Sequence, residues 1–125
     1  MKIAVIIVRI LVGLMFLFSS AYVLFKLGPI PEAQGSVKIF NDGMKASVYL
    51  IPLIKITELI CSIALITGRF VTLALVVLFP IMINIVFFHA FLGPEGLVTV
   101  IPLLIGVLFL AYTKRQNYAT LFIAK

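Results

Sequence analysis

A lysine and a glutamate three residues apart, Lys55 and Glu58, interrupt an apolar segment that reads PLIKITEL from Pro52 to Leu59. Residues at this spacing face the same side of a helix, so the two charges can pair, and Ser62 continues the same stripe. Within a membrane, a carboxylate costs at least about 2.5 kcal/mol to insert, which is tolerable when it faces the protein interior and has a partner. Two interpretations follow: a site for a substrate, a proton or a quinone, or a polar clasp between helices.

Three further polar residues lie in apolar surroundings, namely Ser19, Asn84 and His89. His89 is suited to proton transfer or to a hydrogen bond with a quinone carbonyl; the alternative is a histidine at the membrane surface that water or lipid headgroups satisfy. Asn84 and His89 are about 140° apart around an ideal helix, so we do not expect them to share a face. Together with Lys55 and Glu58, these three residues are the predicted ligand contacts, and no catalytic residue is assigned.

Several chemistries are excluded by what the sequence lacks. The single histidine cannot form a bis-histidine haem within one chain, and there is no Cys-x-x-Cys-His segment. There is also no nucleotide-binding loop, catalytic triad or cluster of metal ligands, and Gly93-Pro94-Glu95-Gly96 is a turn rather than a phosphate cradle. We therefore expect no metal, no cofactor other than a quinone, and no catalytic activity of the chain on its own.

The composition indicates the surroundings in which these residues lie. Of the 125 residues, 64% are hydrophobic and 11% are charged, and the mean hydropathy is +1.32. A soluble domain of this size could not bury so much apolar surface, so the composition predicts an integral membrane protein. The net charge of +6 comes from basic residues scattered between apolar runs. That distribution argues against nucleic-acid binding and is typical of the ends of membrane helices.

Four apolar segments are long enough to cross a bilayer as helices, and they cover residues 3–25, 49–67, 70–92 and 97–112. We therefore predict one all-α domain over residues 1–125, built as a bundle of four transmembrane helices. The connection between the first two segments is long, and it predicts either a short amphipathic helix at the membrane surface or an ordinary polar loop. The helical alternative rests on the spacing of Val37, Phe40, Met44 and Val48.

The first segment resembles a secretory signal peptide, because Lys2 precedes an apolar stretch that ends in Ser19-Ser20-Ala21. Arg9 divides that stretch, however, and the apolar run continues to Phe25, so we expect a retained transmembrane helix. If the first two helices are adjacent, Arg9 can extend toward Glu58.

The four segments place both termini on one side of the membrane, and the basic residues favour the cytoplasm for that side. The side of the termini would carry Lys2, Arg69, Lys114, Arg115 and Lys125. The opposite side would carry Lys26, Lys38 and Lys45, with Glu32, Asp42 and Glu95.

The depth of each polar residue follows from a rise of about 1.5 Å per residue, counted from the turn after the second segment. Glu58 then lies ~15 Å deep, near the bilayer centre, with Lys55 at ~20 Å. Asn84 lies at ~24 Å, and His89 reaches the outer boundary at ~31 Å. Ser19, counted along the first segment from Ile3, also lies at ~24 Å. We therefore expect the polar residues to gather in the middle and outer part of the bundle.

The order and spacing of these pieces resemble the DoxX family of small four-helix bacterial membrane proteins. The resemblance covers nearly the whole chain and is carried by VRILVGLMFLFSS with Ser19, PLIKITEL with Glu58, ITGRF, LFPIMINIVFFHAFLGPEGL with Asn84 and His89, and TKRQNY. It implies a multi-pass protein of the bacterial inner membrane. Some members look like subunits of thiosulfate:quinone oxidoreductase systems, and others are associated with membrane complexes that handle oxidative stress and sulfur metabolism.

Three functions therefore stand as hypotheses. The first is a subunit or accessory of a membrane redox system that binds a quinone or a small apolar molecule through the predicted contacts. The second is a small carrier or proton conduit, suggested by the ionisable pair near the bilayer centre. The third is a scaffold with no chemistry of its own, which lies in the lipid bilayer and forms a homo-oligomer or holds a redox partner subunit.

Overall fold

The computed structural model describes residues 2–29 and 34–123 of the chain. Six helices follow one another along it: α1 Lys2–Leu24, α2 Gly35–Ala46, α3 Leu50–Thr67, α4 Val71–Phe91, α5 Leu97–Thr113 and α6 Arg115–Tyr118. Two further turns, Pro94–Gly96 and Ala119–Phe122, are 3₁₀-helical. No strand occurs among the described residues, which agrees with the all-α prediction.

Four of the helical segments are long and apolar enough to cross a membrane: α1, α3, α4 and the stretch Pro94–Thr113 that contains α5. Their ends lie close to those of the predicted segments, because apolar length and turn residues are local signals. The end of α3 shows the turn chemistry directly. Gly68 takes a left-handed φ of +78°, and its N–H donates to the Ala64 carbonyl at 3.0 Å. A glycine adopts this conformation without the steric cost that other residues meet.

The four long helices form a closed bundle in which α1 packs against α3 and α5, and α4 packs between α3 and α5. The helix directions put both ends of the described chain at one end of the bundle, here called the terminal half, and α2 at the other, the distal half. The most enclosed apolar side chains lie in the terminal half, and they include Leu65, Leu78, Val107 and Leu110. This half is therefore a tightly packed core.

Close contact between α1 and α3 depends on a small residue. A Cβ added at Gly13 would lie 2.7 Å from Ile66 Cγ1 and 3.2 Å from the Ser62 carbonyl oxygen. Small residues commonly allow membrane helices to approach each other in this way. The outward faces of the bundle are apolar, as Leu11, Phe18 and the other large exposed side chains show, and such a surface suits lipid.

The connection between α1 and α3 contains the amphipathic helix that the sequence left as one of two alternatives. Val37, Phe40 and Met44 lie on its half-buried face, and the Phe40 ring lies 5.2 Å from that of Phe88 on α4. Val48, the fourth residue of the predicted apolar series, lies beyond the end of α2 and is exposed. The reason is local, because the backbone of Val48 adopts a left-handed φ of +71°, which an α-helix does not contain. The Ser47 hydroxyl accepts a hydrogen bond from the Leu50 N–H at 3.1 Å across this break.

After α5 the chain folds back onto the start of α4, a feature that the sequence analysis did not predict. The Tyr118 hydroxyl donates to the Thr72 carbonyl at 2.8 Å, and the Asn117 amide donates to the Thr72 hydroxyl at 2.9 Å. Partial burial raises the pKa of the Tyr118 phenol above its ordinary value. These bonds tie the C-terminal turn to the terminal end of the bundle.

Candidate functional site

A cavity of about 1100 Å³ occupies the distal half of the bundle. Its walls come from the helices α1 to α5, and α2 contributes the side that faces away from the terminal half. All five predicted ligand contacts line it: Ser19, Lys55, Glu58, Asn84 and His89. Most of the remaining lining is apolar, with side chains such as Phe16 and Leu103.

Lys55 and Glu58 form an ion pair on one wall of the cavity. The Lys55 ammonium lies 3.3 Å from Glu58 Oε2 and donates a second hydrogen bond to Ser19 Oγ at 3.2 Å. Glu58 is 2% exposed, whereas Lys55 is 21% exposed. The predicted i, i+3 pairing on α3 therefore occurs, and its lysine also connects α3 to α1.

Ser62, which shares the stripe of Lys55 and Glu58 on α3, does not join their contact. It is fully buried, and its hydroxyl donates to the Leu59 carbonyl at 2.6 Å. It does not line the cavity either. The polar stripe thus divides into a cavity-lining part at Lys55 and Glu58 and a packed part at Ser62.

Asn84 and His89 both border the cavity, although they lie on different sides of an ideal helix. Asn84 makes no side-chain hydrogen bond to the described residues. His89 Nδ1 lies 3.2 Å from the Gly93 carbonyl oxygen. A carbonyl oxygen can only accept, so Nδ1 carries the proton in this bond and the neutral ring keeps Nε2 as an acceptor. Asn84 and His89 therefore leave the Asn84 side-chain amide and the His89 Nε2 without a hydrogen-bond partner among the described residues.

Arg9 does not extend toward Glu58, although α1 and α3 are adjacent as that expectation required. Its guanidinium lies beside the turn after α3, where a Cβ added at Gly68 would be 2.7 Å from Nη1. This turn is at the C-terminal end of α3, where free carbonyl groups favour a cation. Glu58 consequently has Lys55, and not Arg9, as its cationic neighbour.

Four polar residues of α2 that were not predicted as ligand contacts also line the cavity, namely Lys38, Asn41, Asp42 and Lys45. Their spacing did contain a signal, because positions 38, 41, 42 and 45 follow one face of a helix. These contacts could not be predicted because they depend on tertiary structure, and the sequence does not indicate which part of the bundle α2 packs against.

A second, smaller groove of about 470 Å³ runs between α3 and α4. It is lined by apolar residues with Thr57 and the buried Cys61. No group of three histidine, cysteine, aspartate or glutamate residues that could hold a metal ion occurs among the described residues. The polar chemistry is therefore concentrated in the distal cavity.

These features define a class: a small multi-pass helical membrane protein with a largely apolar cavity, carrying a few polar groups, at one end of its bundle. The family model for DoxX matches residues 4–90. The chain belongs to the DoxX family, and the matched range contains all five predicted ligand contacts. Comparison with curated proteins and with solved structures finds no match.

Proposed function

We propose that this DoxX protein binds a quinone or another small apolar molecule in its distal cavity, and that it serves as a subunit or accessory of a membrane redox system. The observation that carries the proposal is the cavity itself, because a concave, largely apolar space with a few convergent polar groups is typical of small-molecule sites. Its volume of about 1100 Å³ is close to the upper end of the common range, about 300 to 1,000 Å³.

The polar contacts support a ligand with a ring and polar substituents. Lys55 and Asn84 offer hydrogen-bond donors, and Glu58 and His89 offer acceptors. The surrounding wall is apolar, which suits the ring and tail of a quinone. An unpartnered amide such as Asn84 in a membrane helix also marks a functional position, because polar groups in the bilayer are costly.

A carrier or proton conduit ranks below this proposal. A path from the cavity to the terminal end of the bundle would have to pass Leu65, Leu78 and Leu110, each at most 1% exposed. A scaffold without chemistry also ranks lower, because it needs no cavity, although a homo-oligomer or a redox partner subunit is compatible with the binding function.

The proposed location is the bacterial inner membrane, with the terminal half toward the cytoplasm. Among the described residues, Lys2, Arg69, Lys114 and Arg115 lie at the terminal end, against Lys26, Lys38 and Lys45 at the distal end; Glu32 and Lys125 lie outside the described residues. Labelling of single cysteines by a membrane-impermeant maleimide in intact cells tests the orientation. Lys45→Cys should react and Lys114→Cys should not, and the reverse pattern would overturn the assignment.

Binding is tested by titrating the purified protein in detergent with decylubiquinone. Asn84→Trp should weaken binding more than about tenfold, because the indole fills the cavity. Ile83→Trp is the matched control, since Ile83 is the preceding residue of α4, is 38% exposed and does not line the cavity. The proposal fails if the unmodified protein does not bind the quinone, or if both variants bind it equally well.

A further inference from the structure

The Glu58 carboxylate has one oxygen with a partner and one without. Oε2 accepts the hydrogen bond from Lys55, and Oε1 accepts none from the described residues. Arg9 Nε is the one side-chain polar atom among those residues that is fully enclosed without a partner. Oε1 must therefore border open space, and the space that Glu58 lines is the cavity.

Lys55 provides a donor next to this free acceptor. An ammonium group has three N–H donors, and the structure assigns two of them, to Ser19 Oγ and Glu58 Oε2. Lys55 also lines the cavity. The wall of α3 thus presents an N–H donor and a carboxylate acceptor side by side.

We propose that the ligand presents a hydroxyl group to this pair, so that the protein binds a quinol more tightly than the corresponding quinone. The inference rests on the proposed quinone-binding function and specifies which redox form the site prefers. A hydroxyl group donates to Glu58 Oε1 while its oxygen accepts from Lys55. A quinone carbonyl accepts from Lys55 but has no hydrogen for Oε1, so a buried carboxylate oxygen loses its access to other donors and stays unpaired.

Other ligand groups fit this wall less well. A carboxylate or phosphate at this wall would place a negative charge next to Glu58 Oε1. Lys55, the cation of the same wall, is already paired with Glu58 at 3.3 Å, and the two other lysines that line the cavity, Lys38 and Lys45, lie on α2. A wholly apolar molecule would leave both the Lys55 donor and the Glu58 acceptor without partners. A neutral group that both donates and accepts is the one that satisfies the pair.

The test compares decylubiquinol with decylubiquinone by calorimetric titration of the protein in detergent under argon. The quinol should bind on the order of tenfold more tightly, because an unpaired buried carboxylate oxygen is penalised by about that factor. A tenfold preference raises the midpoint potential of the bound pair by about 30 mV for two electrons. Redox titration of the bound quinone is therefore an independent readout.

The role of Glu58 is tested by Glu58→Gln, whose amide can accept from a quinol hydroxyl through its oxygen or donate to a quinone carbonyl through its nitrogen, so that both redox forms find a partner. The preference for the quinol should disappear or reverse in this variant. Glu95→Gln is the matched control, because it makes the same chemical change at an exposed residue that does not line the cavity. It should keep the preference of the unmodified protein.

The outcomes separate the two proposals. Equal affinities, or tighter binding of the quinone by the unmodified protein, would overturn this inference and leave quinone binding in place. No binding of either form would overturn the binding function and the inference with it. A full quinol preference in folded Glu58→Gln would overturn the assignment to Glu58. If that variant does not fold, the comparison in the unmodified protein still decides.

Discussion

At the scale of single residues, the Lys55–Glu58 pair has a geometry that fits both of the roles that its sequence position left open. The Lys55 ammonium joins α3 to Ser19 on α1 at 3.2 Å, which is the geometry of a clasp. Glu58 forms part of the cavity wall, which is the geometry of a site. The two roles depend on the charges in different ways. Packing of the helices requires only that neither charge is left unpaired, whereas ligand binding requires the polar atoms of Lys55 and Glu58 themselves.

Replacing one or both charges separates these roles. Lys55→Met leaves a carboxylate that is 2% exposed without a cation, and we expect the free energy of unfolding to fall by about 3 kcal/mol. The double variant Lys55→Met/Glu58→Leu removes both charges and should recover most of that loss, but it should no longer bind the quinone. Thermal unfolding followed by circular dichroism in detergent, together with the quinone titration, checks both expectations.

Equal unfolding temperatures for Lys55→Met and the unmodified protein would show that Lys55 does not compensate the Glu58 charge. Quinone binding by the double variant as tight as that of the unmodified protein would show that the pair serves packing alone. The unfolding measurement therefore tests the role of the pair in packing, and the titration tests its role in binding.

At the scale of the helices, most of the architecture could be predicted, because its signals are local. The four long helices follow from apolar length, and the α3–α4 turn follows from Gly68. The end of α2 before Val48 could not be predicted from apolar spacing, since the backbone of Val48 turns to a left-handed φ of +71°. The C-terminal turn also escaped prediction, because it depends on Tyr118 and Asn117 meeting Thr72 from a distant part of the chain.

The turn between α3 and α4 gives a prediction at this scale. Gly68→Ala should lower the free energy of unfolding by about 1–2 kcal/mol, because alanine is strained at a φ of +78°. Its Cβ would also lie 2.7 Å from Arg9 Nη1, so the guanidinium must move.

Gly43→Ala is the control for this change. Gly43 lies inside α2, and a Cβ there would meet no atom within 4 Å, so alanine should stabilise the helix by up to about 1 kcal/mol. Opposite shifts of the two unfolding temperatures are expected in thermal denaturation. A destabilisation of equal size at both positions would show that the φ of Gly68 and its contact with Arg9 are not what matters.

At the scale of the whole molecule, the positions of the polar residues along their helices predicted that these residues gather away from the termini, and the five predicted contacts do line one cavity in the distal half. The positions of residues along single helices could not reveal the cavity, because an open space depends on how four helices pack and on where α2 lies. The predicted contact of Arg9 with Glu58 was wrong for the same reason. Helices α1 and α3 are adjacent, yet the Arg9 side chain extends to the turn at Gly68. Tertiary packing therefore decides the site, and segment patterns decide the fold.

The division into a packed terminal half and an open distal half connects the fold to the proposed function. The core around Leu65, Leu78 and Leu110 closes one end of the cavity, so a ligand would enter and leave through the distal mouth or between helices. Such a one-ended site suits a binding subunit better than a conduit.

Photolabelling with an azido derivative of decylubiquinone, followed by mass-spectrometric mapping of the adducts, tests the central claim most directly. We predict adducts on the cavity walls, within residues 51–58 of α3 and 81–89 of α4, that excess unlabelled decylubiquinone suppresses. Adducts restricted to outward apolar positions such as Ile60 and Leu73, with no effect of the competitor, would contradict a quinone site in the distal cavity.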